Sequence, residues 1–136
     1  MEIFNSEFSL STSSRNQMID ITDKVFSVVN ESGISDGDII VFCPHTTAAI
    51  TINENADPSV CHDILLTLAE LFPQNRKGYR HNEGNSDAHC KSSFLGCSQQ
   101  ILLKDKSLKL GTWQGIYFCE FDGPRTRRVF VQIRGL

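Results

Sequence analysis

Ile39-Ile40-Val41-Phe42-Cys43-Pro44-His45-Thr46-Thr47-Ala48-Ala49-Ile50-Thr51-Ile52-Asn53 is the stretch on which the fold turns. Its first five residues form a continuous apolar run, the pattern of a strand buried on both faces. Pro44 removes a ladder donor and interrupts that strand. Alternation then resumes, with Ala48, Ile50 and Ile52 on one face and Thr47, Thr51 and Asn53 on the other. If the break preserves parity, His45 lies on the polar face with Thr47. Taken alone, His45 reads as a hydrogen-bonded histidine at a strand edge.

Upstream, residues 2–10 and 15–20 read as two extended segments joined by the polar turn Ser11-Thr12-Ser13-Ser14. Phe4, Phe8 and Leu10 share one face. Thr22 then caps a helix whose apolar stripe is Ile21, Val25, Val28 and Val29, and Gly33 suits the left-handed residue that ends it. Downstream, Asp57 and Pro58 are a helix entrance, cap followed by first helical position. Val60, Ile64, Leu65, Leu68, Leu71 and Phe72 continue as a broad apolar stripe up to Pro73. Residues 73–84 are polar and read as a loop. Asn85 or Ser86 opens a third helix that Gly96 ends, with Asn85, His89 and Ser92 on one face by their three- and four-residue spacing.

The last third is strand. Gln100 to Lys104 turns at Asp105-Lys106-Ser107, and the run from Gly111 to Asp122 puts Trp113, Tyr117, Cys119 and Phe121 on one face. Gln114, Glu120 and Asp122 fall on the other face with Ile116 and Phe118. Polar groups so placed are costly unless paired or used. Asp122-Gly123-Pro124-Arg125 is a turn, and Val129, Val131 and Ile133 alternate in the closing strand. Arg125 has two readings here: a bidentate grip on a phosphate or carboxylate, or a pair with Asp122 that only holds the turn.

These elements make one α+β domain over residues 1–136, with largely antiparallel sheets and about three helices. At 136 residues the chain is long enough for one real core and too short for two. Its 40% hydrophobic and 21% charged content is ordinary for a globular protein. A net charge of −3 argues against a nucleic-acid partner. No apolar run reaches membrane-spanning length, and the N-terminus lacks a basic head before an apolar stretch, so a cytoplasmic location is expected. The five cysteines contain no C-x-x-C and are expected to be reduced and mostly buried.

Chemistry concentrates in Tyr79-Arg80-His81-Asn82-Glu83-Gly84-Asn85-Ser86-Asp87-Ala88-His89, which holds two of the four histidines. Neutral imidazole is the commonest protein ligand for zinc and similar ions. Three histidines with an open position would make a catalytic type of site. The expectation is that the fold brings His45 to His81 and His89. Glu54, which no helix cap explains, is the candidate to orient a histidine or act as a base. There is no P-loop, G-x-G-x-x-G, G-x-S-x-G or H-E-x-x-H, and the zinc-deaminase pattern is missing too. Chemistry alone therefore points to a metal-assisted enzyme acting on a small, phosphorylated molecule.

The blocks His45-Thr46-Thr47-Ala48-Ala49-Ile50-Thr51-Ile52-Asn53-Glu54-Asn55-Ala56-Asp57, Tyr79-Arg80-His81, Gly84-Asn85-Ser86-Asp87-Ala88-His89, Lys91-Ser92-Ser93-Phe94-Leu95-Gly96, Leu110-Gly111-Thr112-Trp113-Gln114-Gly115-Ile116 and Asp122-Gly123-Pro124-Arg125 resemble the YjbQ family, also called secondary thiamine-phosphate synthase. The resemblance runs through essentially the whole chain in the same order. It implies a largely antiparallel α+β domain that assembles as a homotrimer and binds a divalent metal through histidines, zinc first, with magnesium as the alternative beside a diphosphate substrate. His45, His81 and His89 match the family's motif histidines. The implied activity is a weak thiamine-phosphate synthase reaction, joining a pyrimidine methyl diphosphate to a thiazole phosphate with release of diphosphate. Thr46, Thr47, Asn85, Ser92, Ser93 and Arg125 are then the candidate contacts to substrate, and Glu54 and Asp122 the candidate catalytic carboxylates. The chain lacks an acidic cluster such as D-D-x-x-D, which commonly carries magnesium in diphosphate chemistry. Two alternatives stand beside this reading: a metal-dependent hydrolase of a small phosphorylated or amide substrate, and a non-catalytic trimeric protein that binds a metal or an anion.

Overall fold

The computed structural model describes residues 1–136 as two antiparallel sheets and three helices. The strands are β1 (Glu2–Ser11), β2 (Gln17–Asp20), β3 (Gly37–Phe42), β4 (Ala48–Glu54), β5 (Ser98–Lys104), β6 (Ser107–Leu108), β7 (Gln114–Glu120) and β8 (Thr126–Gly135). The helices are α1 (Thr22–Ser32), α2 (Pro58–Leu71) and α3 (Ser86–Leu95). A five-stranded sheet runs β1-β8-β3-β5-β6 and a three-stranded sheet runs β2-β7-β4. Pro44 lies where the chain leaves the first sheet for the second.

The main core lies between the sheets. Ile39, Val41, Val129, Val131 and Ile133 come from the large sheet, Ala48, Ile50, Ile116 and Phe118 from the small one, and Val25, Val28 and Val29 from α1. A second cluster sits on the opposite face of the small sheet, where Ala49, Tyr117, Cys119 and Phe121 meet Leu68 of α2 and Ala88 of α3. The small sheet is therefore covered twice, which explains why Ala48, Ala49 and Ile50 are all buried.

Several expectations change. The Ile39–Cys43 run is buried on one face only. Ile39, Val41 and Cys43 enter the core, whereas Ile40 and Phe42 lie on the outer face of the large sheet, which nothing in the chain covers. Thr22 does not cap α1. Ile21 holds the cap position, and the Asp20 carboxylate accepts from the Thr22 N–H and hydroxyl at 2.9 and 2.6 Å. The Thr22 hydroxyl oxygen instead accepts from the Ile116 N–H at 2.9 Å and ties the helix to β7. Gly33 ends α1 at φ +69°, as its residue type allows. The α2 stripe is only partly covered: Leu68 is buried, but Leu71 is 56% exposed. Trp113 precedes β7 and is 62% exposed, so it does not share the covered face of Tyr117 and Cys119. Cys43 and Cys119 are buried, whereas Cys61 and Cys90 are half-buried and Cys97 is exposed. No helix is long and apolar enough to cross a membrane.

Candidate functional site: a histidine-lined rim beside helix α3

The segment Pro44–Thr47 is held in place by three separate grips. The Nε2 of His45 accepts from the Arg128 backbone N–H at 2.9 Å. The Thr46 carbonyl accepts from the Ser92 hydroxyl at 2.6 Å. The Arg127 guanidinium donates to the Thr47 hydroxyl and carbonyl at 2.9 and 3.2 Å. Proline makes the break in the ladder, and side chains from β8 and α3 supply partners for the freed groups.

Arg127 and its partner Glu120 are both buried. Burial by itself would raise the Glu120 carboxyl. The Arg127 guanidinium, the Asp122 N–H and the Thr12 hydroxyl donate to it and hold it below the usual carboxylate range. Thus the costly polar residue on β7 is paired. The pair was legible from parity, since Arg127 falls on the inward face with Val129 and Val131.

A second buried charge lies in α3. Asp87 accepts from both terminal nitrogens of Arg15 at 2.9 and 3.0 Å and from Lys91 at 3.0 Å. Burial pushes its pKa up, and these donors more than offset that, leaving it lowered. Lys91 also donates to Asn16 at 3.1 Å. The four-residue spacing of Asp87 and Lys91 is visible in sequence, but Arg15 arrives from the far end of the chain. With Asp87 and Lys91 turned inward, the solvated face of α3 carries Ser93 and Phe94.

Two of the cavities that open along α3 bring a second histidine to its side, and His89 lines both. One, about 480 Å³, is bounded by His45, Thr46, Ala48, His89, Ser92, Ser93, Gly96 and Cys97. The other, about 410 Å³, is bounded by Tyr79, His81, Ser86, His89 and Cys90. The His81 and His89 rings stand 5.3 Å apart, edge to face. The His81 Nε2 also lies 3.5 Å from a Glu83 carboxylate oxygen, and two imidazoles bound to one ion through bonds of about 2.0–2.1 Å would have centroids about 5 Å apart. The hydroxyl of Tyr79, on the same rim, is buried with no hydrogen-bond partner.

His45 stands apart from that pair. Its Nε2 lone pair is taken by the Arg128 N–H, which puts the proton of the neutral ring on Nδ1. Burial first, and then the Arg127 charge, hold its pKa below the ordinary imidazole value, so the neutral form persists. Within the chain no three His, Cys, Asp or Glu side chains converge on a point suited to an ion. The expected meeting of His45, His81 and His89 is therefore a meeting of two, with the third across a shared wall.

The other candidates divide. Thr46 and Ser93 are exposed on the rim. Thr47 and Ser92 are buried with their hydroxyls engaged by Arg127 and the Thr46 carbonyl, and of the two Ser92 lines the cavity. Arg125 takes the second of its two readings: its Nε and Nη2 donate to the Asp122 carbonyl and carboxylate at 2.9 and 3.1 Å and close the turn. Asn85 donates to the same Asp122 oxygen at 2.8 Å, so it holds the N-cap position of α3 without capping it and does not line the rim. Asn85 and Arg125 therefore share one carboxylate oxygen of Asp122, Oδ2. Glu54 sits at the opposite end of β4 from His45. At about 3.3 Å per residue that is roughly 20 Å away, too far to orient an imidazole of the same subunit.

The architecture and site define an antiparallel α+β domain with a histidine rim on its helix side. The profile described as UPF0047 protein YjbQ-like matches residues 6–136. The chain belongs to the YjbQ family. It is 54% identical over 129 residues to a UPF0047 protein of Methanocaldococcus jannaschii, covering 95% of this chain and 93% of that one. It is 52% identical over 126 residues to UPF0047 protein YugU of Bacillus subtilis, covering 93% and 96%. A crystal structure of an uncharacterised family member from Clostridium acetobutylicum superimposes with a TM-score of 0.93 at 61% identity, covering 95% and 99%. A Sulfolobus solfataricus protein of unknown function gives 0.95 at 35% identity, covering 99% of each.

Proposed function

We propose that the rim between His81 and His89 holds a divalent cation, zinc first, beside a small phosphorylated molecule, and that the chain is a metal-dependent transferase of the thiamine-phosphate synthase type. The observation that carries this is the 5.3 Å pairing of the two imidazoles on an open cavity. A cation held there supplies positive charge to phosphate oxygens as diphosphate departs. His81 and His89 are the ligands of this proposal, and His45 joins only when its ring turns from the Arg128 N–H. The exposed hydroxyls of Thr46 and Ser93 donate to the phosphate. Activity is expected to be weak, because the buried carboxylates are committed: Asp87 to Arg15 and Lys91, Glu120 to Arg127.

That same commitment favours a second reading, a metal-dependent hydrolase or a non-catalytic binding protein that needs no carboxylate base. Elemental analysis of protein purified without added metal, repeated on His89→Ala and His81→Ala, tests the cation. A metal content that neither substitution lowers refutes the site. Diphosphate release that requires both the pyrimidine diphosphate and the thiazole phosphate supports the transferase, and turnover of one substrate with water supports the hydrolase. Assembly as a homotrimer is part of the proposal. It is supported by the uncovered Phe42 and Leu102 on the large sheet and Leu71 and Phe94 on the helix side. Sedimentation of a monomer at working concentration counts against it. A cytoplasmic location accords with five free thiols.

A further inference from the structure

Two cysteines stand on opposite strands at the open end of the β3–β5 ladder. The register pairs Phe42 with Ser98, and one step further the Cys43 N–H donates to the Cys97 carbonyl at 2.7 Å. Directly opposed residues of an antiparallel pair project to the same face. For Cys43 that face is the core, where it joins Ile39 and Val41. Cys97 shares the parity of Ile101 and Leu103, which enter the same core, and of Gln99, whose amide reaches the Ile50 carbonyl at 3.2 Å. At the end of the strand this inward face opens into the cavity that Cys97 lines with His45 and His89. The Cys43 sulfur lies 3.9 Å from the His45 carbonyl, under the same wall.

The backbone pairing is compatible with a covalent link: opposed residues of an antiparallel pair have Cα atoms about 4.5–5.5 Å apart, inside the roughly 4.4–6.8 Å that disulfides span. The two thiols also differ in a useful way. Cys97 is exposed, whereas Cys43 is buried. One can meet a reagent from solvent, and the other can only answer its neighbour.

We propose that Cys43 and Cys97 are a dithiol modification site that a low-molecular-weight disulfide closes into a cross-strand bond on the wall of the His45–His89 cavity. The Cys97 thiolate attacks one sulfur of the small disulfide. The reagent's sulfur–sulfur bond breaks, one small thiol leaves and Cys97 carries the other half as a mixed disulfide. Cys43 gives its proton to solvent and attacks the Cys97 sulfur, expelling the second small thiol. Two protein thiols are oxidised, and one small disulfide is reduced to two thiols. The new bond fixes the start of the Pro44–Thr47 segment to β5 and replaces a free thiol on the cavity wall. This inference shares the cavity of the proposed function but needs neither metal nor substrate, so the two can fail separately.

The test is oxidised glutathione added to the intact, metal-free protein, followed by acid quench, alkylation and peptide mapping. The expected result is a fall from five alkylatable thiols to three, with a Cys43–Cys97 peptide and no glutathione retained. Cys97→Ser abolishes the internal bond, and Cys43→Ser stops at glutathione on Cys97. Histidine proton signals supply the second readout: those of His45 and His89 shift on oxidation, while that of His62, exposed on α2, stays in place. Glutathione that remains on wild-type Cys97, a bond mapping to Cys61–Cys119 or between molecules, unreacted protein, or a His45 signal that does not move would each overturn the proposal.

Discussion

Replacing Arg127 by methionine tests the reasoning about this fold at its most sensitive point. The substitution keeps the stem of the side chain and removes the guanidinium, which leaves Glu120 buried without its counter-ion. Breaking a buried pair by removing one partner costs about 3–5 kcal/mol, against a total stability of about 5–15 kcal/mol for a domain of this kind. The loss also frees the Thr47 hydroxyl and carbonyl, so the expected cost lies toward the upper end. Urea unfolding followed by tryptophan fluorescence reads it. With a slope of about 1.5–2 kcal/mol/M, the midpoint falls by about 1.5–3 M. The pH dependence gives an independent sign. In the native chain the Glu120 pKa is lowered, so its contribution is present above the unfolded value of about 4.3 and is lost as pH falls through the folded one. Without Arg127, burial dominates and raises that pKa. The variant then loses stability as pH rises from about 4.3 toward the raised folded value. A midpoint shift below about 0.5 M, together with an unchanged acid profile, would refute the claim that this pair anchors the segment bearing His45.

Three other outcomes follow from the same geometry. His45 binds its proton more weakly folded than unfolded, so its contribution is complete above about pH 6.5 and declines as pH falls toward the lower folded value; histidine NMR titration should place His45 below the ordinary imidazole value, and an equal or higher value contradicts its burial beside Arg127. Ser92→Ala leaves the Thr46 carbonyl without its donor and should cost about 1 kcal/mol by denaturant melts, with a larger effect on ligand affinity at the rim than on folding. Phe94, 69% exposed, should tolerate serine within about 0.5 kcal/mol in a monomer; a sedimentation shift toward smaller species would mark this face as an interface between copies, and no shift would count against it.

Periodicity was enough for much of the architecture. The helix entrance at Asp57-Pro58, the left-handed stop at Gly33 and the alternation of Val129, Val131 and Ile133 are local consequences of backbone chemistry, and each is found where the residues place it. Thr22 shows the limit. A hydroxyl before a helix reads as a cap, yet Asp20 is better placed and Thr22 is recruited by Ile116 from 94 residues away. The Ile39–Cys43 run misleads for a related reason, since a continuous apolar strand cannot tell a covering layer within the chain from an uncovered face.

Sequence alone determined the residue types of the site and the order of its elements. His81 and His89 lie eight residues apart around a helix start, so their meeting is nearly local. What only the tertiary structure decided is which polar groups remain free. Arg127 reaches Thr47, Arg15 reaches Asp87 and Ser92 reaches Thr46 from distant parts of the chain, and burial obliges such groups to satisfy one another before any ligand. The same closure separates Glu54 from the histidines along the length of β4 and spends the His45 lone pair on a backbone N–H. Such commitments are settled by contacts between residues far apart in the chain, on which local pattern is silent.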